Sequence, residues 1–541
     1  MFPLTRFRLS FFKSSTGLLL ASLLLASYST ATFAQAPVSS LRGASGSLPS
    51  LGDNLEMSAG AERRLGDRIA ASIYRDPDYI DDAVLGDYMQ SIWQPLLVAA
   101  RGRGELNAEL DERFSWDLFL IRDRSINAFA LPGGYLGVHL GLIGAVASRD
   151  ELAAVLGHEL SHITQRHISR LITQQARTTP WVIGAMILGM LAASKSPNAA
   201  QAAMVGGQAV AAQSQLNFSR DMEREADRVG FGVMTDAGFD SRGVGSMFEK
   251  LQQASRINDN GSFPYLRSHP LTTQRIAEAQ ARFQLALQDA NPNRAGPEDL
   301  AQTRVLHAMM AARARVLADP GVDALRAMVI EAQRLALPAQ AGAARVSAAD
   351  VRSAGAWYAG ALAAAKMRDF VPARSLTEKL KVFAAGNVQA ASATSLLSLE
   401  VDLLAGVVPA EISAIDSSKT TSRAGVLTQA RALLAAGRAQ EVADRLSTWV
   451  TAHPKDALAW QQLAVAYGNL NQNVRAIRAD AESRAAQLDY TGALDRFKAA
   501  QAMIRTNPGS TDFMDGSIID TRTRQLDLLV KEQAIQDKLD K

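Results

Sequence analysis

Beyond residue 56 the apolar positions recur mostly at helical spacing. Leu65, Ile69 and Ile73 fall one turn apart among Arg63, Arg64, Asp67 and Arg68, which predicts a helix over Ser58–Ile73. Leu85, Met89, Ile92 and Trp93 form the stripe of a second, over Ile80–Val98. The period then changes to two. Phe114, Trp116, Leu118 and Leu120 alternate with polar or opposite-face residues, the pattern of a strand. Asn127-Ala128-Phe129-Ala130-Leu131 and Tyr135-Leu136-Gly137-Val138-His139 flank Pro132-Gly133-Gly134. Pro-Gly suits the central positions of a type II turn, so the two stretches predict a hairpin. Ser148 and Glu151 form a capping box, Leu152, Val155 and Leu156 follow at helical spacing, and helical character runs on to about Gln175.

The next stretch, 181–193, is very apolar but shorter than the ~20 residues a bilayer-crossing helix needs. A small-residue helix over about Ala199–Gln215 returns from it to a helix opened by Asn217-Phe218-Ser219-Arg220. A further helix covers about Ser241–Ile257, followed by a loop at Asn258–Gly261, the segment Leu266–Leu271, and a helix containing Arg275 and Ile276. Asn291-Pro292-Asn293 and Gly296-Pro297 separate two candidate cores. The tail past that break is repetitive. Trp460, Leu463, Ala464, Tyr467 and Ala476 fit the small-and-aromatic positions of a tetratricopeptide unit. Val426, Ala430, Leu433 and Val442 match them one period earlier, and Trp357, Ala361 and Ala373 match further upstream. Asp489–Ala500 reads as a final second helix, and the charged stretch from about Gln525 as a capping helix. Stacked helix pairs of this kind present a concave surface suited to binding proteins.

Composition changes the picture mainly at the start. Residues 1–34 carry Arg6, Arg8 and Lys13, an apolar run, and Thr32-Phe33-Ala34 before Gln35, which together read as a secretory signal peptide. Residues 35–55 are Ser, Gly and Pro rich, a flexible tether. Removing 1–34 takes away three basic residues and no acidic one, so the formal charge of +3 falls to 0. No basic patch remains to favour nucleic acid. With no cysteine, disulfides, thiolate ligands and a lipid-modified N-terminal Cys are excluded.

The candidate chemistry is His158-Glu159-Leu160-Ser161-His162, an H-E-x-x-H on a helix, in a chain with only seven His. Residues four apart share a helix face, so His158 and His162 can hold one Zn2+ while Glu159 reaches a bound water as general base. Glu223, 61 positions after His162, is the third ligand candidate, on the helix that carries Glu225 and Asp227. Asp227 shares the face of Glu223 and is placed to accept the other N–H of a ligand His. Ala226 and Gly230 are small enough for a close helix approach. Glu225 points to solvent. His167 is about 500° around from His162 on a continuous helix, away from the metal face and at the surface. His139 is structural. Asn127, Ala128, Phe129 and Ala130 are candidates for a sheet edge that pairs with extended substrate. His269 precedes Pro270, which holds it extended and outward, so it can swing in as a fourth ligand or plug, or assist catalysis. A structural metal or a non-catalytic helical-repeat adaptor are the rival readings; an intact Glu159 with three ligands argues against both.

G-H-E-L-S-H followed by S-R-D-M-E-R-E-A-D resembles the gluzincin peptidases related to the CaaX prenyl proteases and to HtpX. With the signal peptide and repeat tail the chain is most similar to the BepA-like periplasmic metalloproteases. The resemblance implies zinc at His158, His162 and Glu223, Glu159 as base and Asp227 as ligand support. It also implies an H-P-L His at 269 able to cap the metal, Arg275 near the cleft, and substrate-edge residues at 127–130. The fold implied is mainly α with a small β-sheet: a gluzincin-type metalloprotease domain at 56–290, a linker at 291–298 and an α-helical TPR-like solenoid at 299–541. The function implied is a periplasmic zinc endopeptidase with chaperone-like activity. Its partners would be unfolded or stalled polypeptides and, through the repeat surface, the outer-membrane protein assembly machinery. Within that fold 180–215 reads as a helical hairpin capping the cleft, with contact of 181–193 to a membrane surface or client as the second reading.

Overall fold

The computed structural model describes residues 57–174, 219–256, 264–288, 297–337, 346–408, 422–507, 509 and 513–539. The signal peptide, the tether, the apolar stretch 181–193 with its returning helix, the 258–261 loop and linker residues 291–296 lie outside them. Among the described residues no helix is long and apolar enough to cross a membrane.

The fold is mainly helical around one four-stranded sheet, β1 (Tyr79–Ile80), β2 (Asp117–Ile121), β3 (Ala128–Leu131) and β4 (Tyr135–His139), in the order β1-β2-β4-β3. β2 runs parallel to β4, and the β3–β4 hairpin is antiparallel with Ala128 opposite Val138 and Leu131 opposite Tyr135. Gly133, at φ +76°, takes the left-handed position that a type II turn requires after Pro132. β2 begins later than the period-two pattern suggests. Phe114 ends a short helix, Ala108–Arg113, and Trp116 sits at φ +57°, so neither belongs to the strand.

Alternation along the strands divides the core in two. Leu120, Ala128, Ala130, Leu136 and Val138 face the Ala83–Gly102 and Arg149–Thr164 helices. Phe119, Ile121, Leu131 and Tyr135 face Leu65, Ile69 and Ile73 of the Ala59–Tyr74 helix, together with Ile168 and Ile172. The chain therefore passes from one face of the sheet to the other between Thr164 and His167. It does so at Arg166, which has φ +53°, a conformation costing about 1–2 kcal/mol for a non-glycine residue. Arg166 is held there by Glu62, whose Oε2 accepts from its Nε at 2.9 Å. The predicted helix to Gln175 is accordingly two helices, Arg149–Thr164 and His167–Gln174.

The tail is an array of antiparallel helices. Ala348–Lys366 pairs with Phe370–Ala384, Arg423–Ala435 with Ala439–Ala452, and Ala457–Asn469 with Asn473–Ala486. The turns inside the last two pairs use left-handed residues 34 positions apart, Gly437 and Asn471. The Tyr490–Thr506 helix follows, and Phe513–Leu539 closes the array.

The two candidate cores divided at 291–298 form one hydrophobic cluster, which holds Leu156 beside the metal motif and Met309, Trp357 and Trp460 in the array. The Pro297–Leu317 helix is the join. Burial depresses the pKa of its His307, whose Nε2 lies 3.0 Å from Val146 O and whose Nδ1 lies 2.6 Å from the Tyr88 hydroxyl. Arg313, buried, forms two bonds with Asp82 (2.8 and 2.6 Å) and reaches Glu400 at 2.7 Å. Asp82 is also the N-cap of the Ala83–Gly102 helix. Further along, Arg423 grips Asp81 with both terminal nitrogens at 2.7 Å and Asp456 at 2.8 Å.

Breaking a buried ion pair costs about 3–5 kcal/mol, whereas an exposed one contributes ~0–1 kcal/mol. Arg313→Met should therefore lower the melting temperature of the whole chain clearly. Arg101→Met, which removes a half-exposed pair with Asp111, should change it little. Equal, small effects in a thermal melt would show that Arg313 is not the tie between the array and the sheet-bearing region.

Candidate metal centre

Two helices bring the donors together. Ser148 caps the first through its hydroxyl, which accepts from Glu151 N, and Ser219 caps the Arg220–Asp236 helix through Met222 N. They cross at glycines. A Cβ on Gly230 would lie 2.9 Å from the carbonyl of Gly157 and from His158 N, closer than such atoms are found. That contact lets Glu223 reach His158 and His162. A third segment, the short Tyr265–Ser268 helix, delivers His269 from its C-cap.

His158, His162, Glu223 and His269 each offer one donor atom, all within 4.8 Å of one another, and all four residues are buried. His158 Nε2 lies 3.0 Å from His162 Nε2 and 3.3 Å from His269 Nδ1. Glu223 approaches His269 Nδ1 at 3.0 Å and each of the other two imidazoles at 3.5 Å. Donors bound to zinc at 2.0–2.1 Å in a tetrahedron stand about 3.3 Å apart, and these separations of 3.0–3.5 Å, taken over both Glu223 oxygens, bracket that value. Nitrogen lone pairs facing one another at such distances have no bond to make except to a proton or a cation. The residues therefore fit a metal ion.

Electrostatics point the same way. Burial works against protonating His158, yet hydrogen bonds and charge from Asp227 and Glu223 push its pKa up to about 10. The pocket thus draws positive charge to His158. Burial and the neighbouring His158 hold His162 well below its ordinary value, in the neutral form a ligand needs. For Glu223 burial would raise the pKa, but the charges of His269 and His158 keep it well below the carboxylate range.

Around the donors lie the supports. Asp227 Oδ1 is 3.0 Å from His158 Nδ1, and Asp227 in turn accepts two bonds from Arg275, at 2.7 and 2.8 Å. Arg275 Nη1 also stands 2.7 Å from Glu223 Oε2. Glu159 is fully buried. Its Oε2 accepts from Ala130 N at 3.0 Å, and its Oε1 lies 3.4 Å from His269 Nε2. Ala128 and Ala130 are on β3, the outer strand of the sheet; Asn127 precedes it and accepts from His139 N at 3.0 Å. That bond sets the alternation. Asn127, Phe129 and Leu131 turn their backbone polar groups to β4, while Ala128 and Ala130 turn theirs outward, Ala130 N to Glu159.

Two sequence expectations are corrected. His167 is not at the surface: it is fully buried, with Nδ1 2.9 Å from His162 Nδ1. Glu225 is not simply solvated, for its Oε2 lies 3.0 Å from His167 Nε2 and accepts from Arg170 Nη1 at 2.8 Å. The break at Arg166 is the reason, because the 500° count assumes an unbroken helix. His139 lies outside the donor group, with Nδ1 2.8 Å from Ser125 Oγ.

Residues 98–283 match the model of peptidase family M48, a span that contains all the donors and supports named above. The chain is 36% identical over 217 residues to a putative beta-barrel assembly-enhancing protease of Vibrio cholerae, spanning 40% of this chain and 43% of that protein. It is 27% identical over 472 residues to the beta-barrel assembly-enhancing protease of Escherichia coli, 85% of this chain and 88% of that one. A mitochondrial metalloendopeptidase OMA1 of Arabidopsis thaliana matches at 31% over 160 residues, 29% of this chain and 30% of that protein.

The glycine crossing generates a prediction. Overpacking a tight contact costs about 1–3 kcal/mol. Gly230→Ala should move the two donor helices apart and weaken metal binding, measured by competition with a chelator. Gly245→Ala, where an added Cβ meets nothing within 4 Å, should leave it unchanged. Full metal affinity in Gly230→Ala would mean that the crossing does not set the donor spacing.

Proposed function

We propose, on the premise that this chain is a metalloendopeptidase with an M48 peptidase domain, that it is a zinc enzyme of the periplasm. There it degrades or assists misfolded and stalled polypeptides during outer-membrane protein assembly. One observation carries the chemical part. Glu159 sits between the donor cluster and the outward groups of β3, with an oxygen on each. An extended chain pairing with Ala128 and Ala130 passes directly over that carboxylate, and backbone pairing demands little of side-chain sequence, as a quality-control substrate requires.

His158, His162 and Glu223 would hold the zinc, which supplies Lewis-acid polarisation of the scissile carbonyl and a water of near-neutral pKa. Glu159 takes a proton from the attacking water and passes it to the leaving amide nitrogen. Asp227, fixed by Arg275, keeps His158 in one tautomer and orientation. His269 occupies the fourth donor position with Nδ1 and lies against Glu159 with Nε2, so it covers both the place of the substrate carbonyl and the base. Its ring stacks on Tyr265 at 4.5 Å. We read this as the latent state, which opens when the loop carrying His269 withdraws.

The remainder of the proposal rests on the likeness to the beta-barrel assembly-enhancing proteases and on the helical array. Residues 1–34 would be the signal peptide that directs export. The array past 299, read as TPR-like, would bind clients or the assembly machinery and supply the chaperone-like activity. The stretch 181–193 would cap the cleft or touch a membrane surface. No role in binding nucleic acid is proposed.

General acid–base groups contribute typically 10²–10⁴-fold, so Glu159→Gln should lose proteolysis of an unfolded substrate by about that factor while keeping its zinc. His158→Ala and Glu223→Ala should lose both. Undiminished cleavage by purified Glu159→Gln would overturn the mechanism. His269→Ala should raise basal proteolysis, self-cleavage included, at unchanged zinc content. A fall in activity with zinc retained would instead assign His269 a part in catalysis.

A further inference from the structure

We propose that His167 is a positioning residue for His162, the middle member of a relay His162–His167–Glu225–Arg170 that fixes the proton and orientation of the second ligand imidazole. It rests on the metal-centre reading above and extends it to residues outside the H-E-x-x-H and E-x-x-x-D pattern.

The geometry decides where each proton sits. His162 Nε2 faces the donor cluster, so a neutral His162 that ligates there carries its proton on Nδ1. That Nδ1 lies 2.9 Å from His167 Nδ1, and two nitrogens at hydrogen-bond distance need one donor and one acceptor. His162 is the donor, so His167 Nδ1 accepts. His167 then carries its own proton on Nε2, which lies 3.0 Å from Glu225 Oε2, an oxygen shared with Arg170 Nη1 at 2.8 Å.

His158 has the shorter version of the same arrangement. Its Nδ1 meets Asp227 directly, and Asp227 is paired with Arg275. Glu225 and Asp227 are two apart on one helix and so point to different sides of it. One serves His158 at once; the other is too far around and reaches His162 through an inserted imidazole. Each of these two imidazoles thus ends on a carboxylate–arginine pair. The left-handed turn at Arg166, tied to Glu62, places His167 for this purpose. A plain continuation of the helix would have carried it to the other side.

Losing an outer partner of a ligand typically costs 10–100-fold in metal affinity. The test is zinc affinity of the full chain by competition with a chromophoric chelator, with the melting temperature of the EDTA-treated protein measured in parallel. His167→Leu fills the space but offers His162 Nδ1–H no acceptor, and should weaken zinc about 10–100-fold. His167→Asn places an amide oxygen near the site of Nδ1 and should recover most of that loss. A packing role alone would not distinguish the two in this order. Glu225→Leu, at a partly exposed position, should weaken zinc less than His167→Leu and leave the metal-free melting temperature near wild type; it serves as the probe if His167→Leu does not fold. Wild-type affinity in His167→Leu or in Glu225→Leu, or an Asn variant as weak as the Leu variant, would overturn the relay. A wild-type chain that binds no zinc would overturn the metal-centre reading instead.

Discussion

Four buried donor groups gathered in one cluster are the feature on which the rest of the structure depends. Three imidazole nitrogens and a carboxylate oxygen stand within 4.8 Å, away from water. Held by protein alone, that arrangement is costly, since three imidazoles and a carboxylate are buried together away from solvent. A cation turns the same geometry into the favourable one. The glycine crossing at 157 and 230, the serine caps that begin both donor helices, and the Tyr265–His269 stacking all serve to keep these atoms close.

The scaffold behind the donors is charged as well as apolar. Asp227 with Arg275, and Glu225 with Arg170, stand behind the two H-E-x-x-H imidazoles. Further out, Arg313 and Arg423 join Asp82 and Asp81, at the entry to the Ala83–Gly102 helix, to the helical array. That helix shares its core with the Arg149–Thr164 helix, which carries His158 and His162. A client held on the array would consequently pull, through that shared core and these ion pairs, on elements that border the cleft. This continuity fits one chain that both holds and cuts polypeptides better than two modules on a tether.

Much of this was legible from residue pattern. Helical spacing identifies His158, His162, Glu223 and Asp227, and the period-two stretches locate the strands, because these signals are local. Pro132-Gly133 locates the hairpin, but which of residues 127–130 turn outward is set by the strand register. What escaped is what depends on a single backbone angle. Nothing in Gln165-Arg166-His167 announces a left-handed residue, for Arg is not a turn former. Read as one helix, the segment puts His167 at the surface and leaves Glu225 without a partner. The signal that existed is the basic and acidic pairing of Arg166 with Glu62, which joins residues 104 apart and is visible only once folded. The merging of the two candidate cores was hidden for the same reason: Pro and Gly mark a turn, and they do not say whether the chain beyond it folds back.

We propose that one zinc ion is held by three imidazoles and one carboxylate, with His269 as the removable fourth ligand. X-ray absorption at the zinc edge counts imidazoles directly. The account predicts one equivalent of zinc with three imidazole ligands in the wild-type chain and two in His269→Ala. Two imidazoles in both proteins, or no zinc in either, would contradict it.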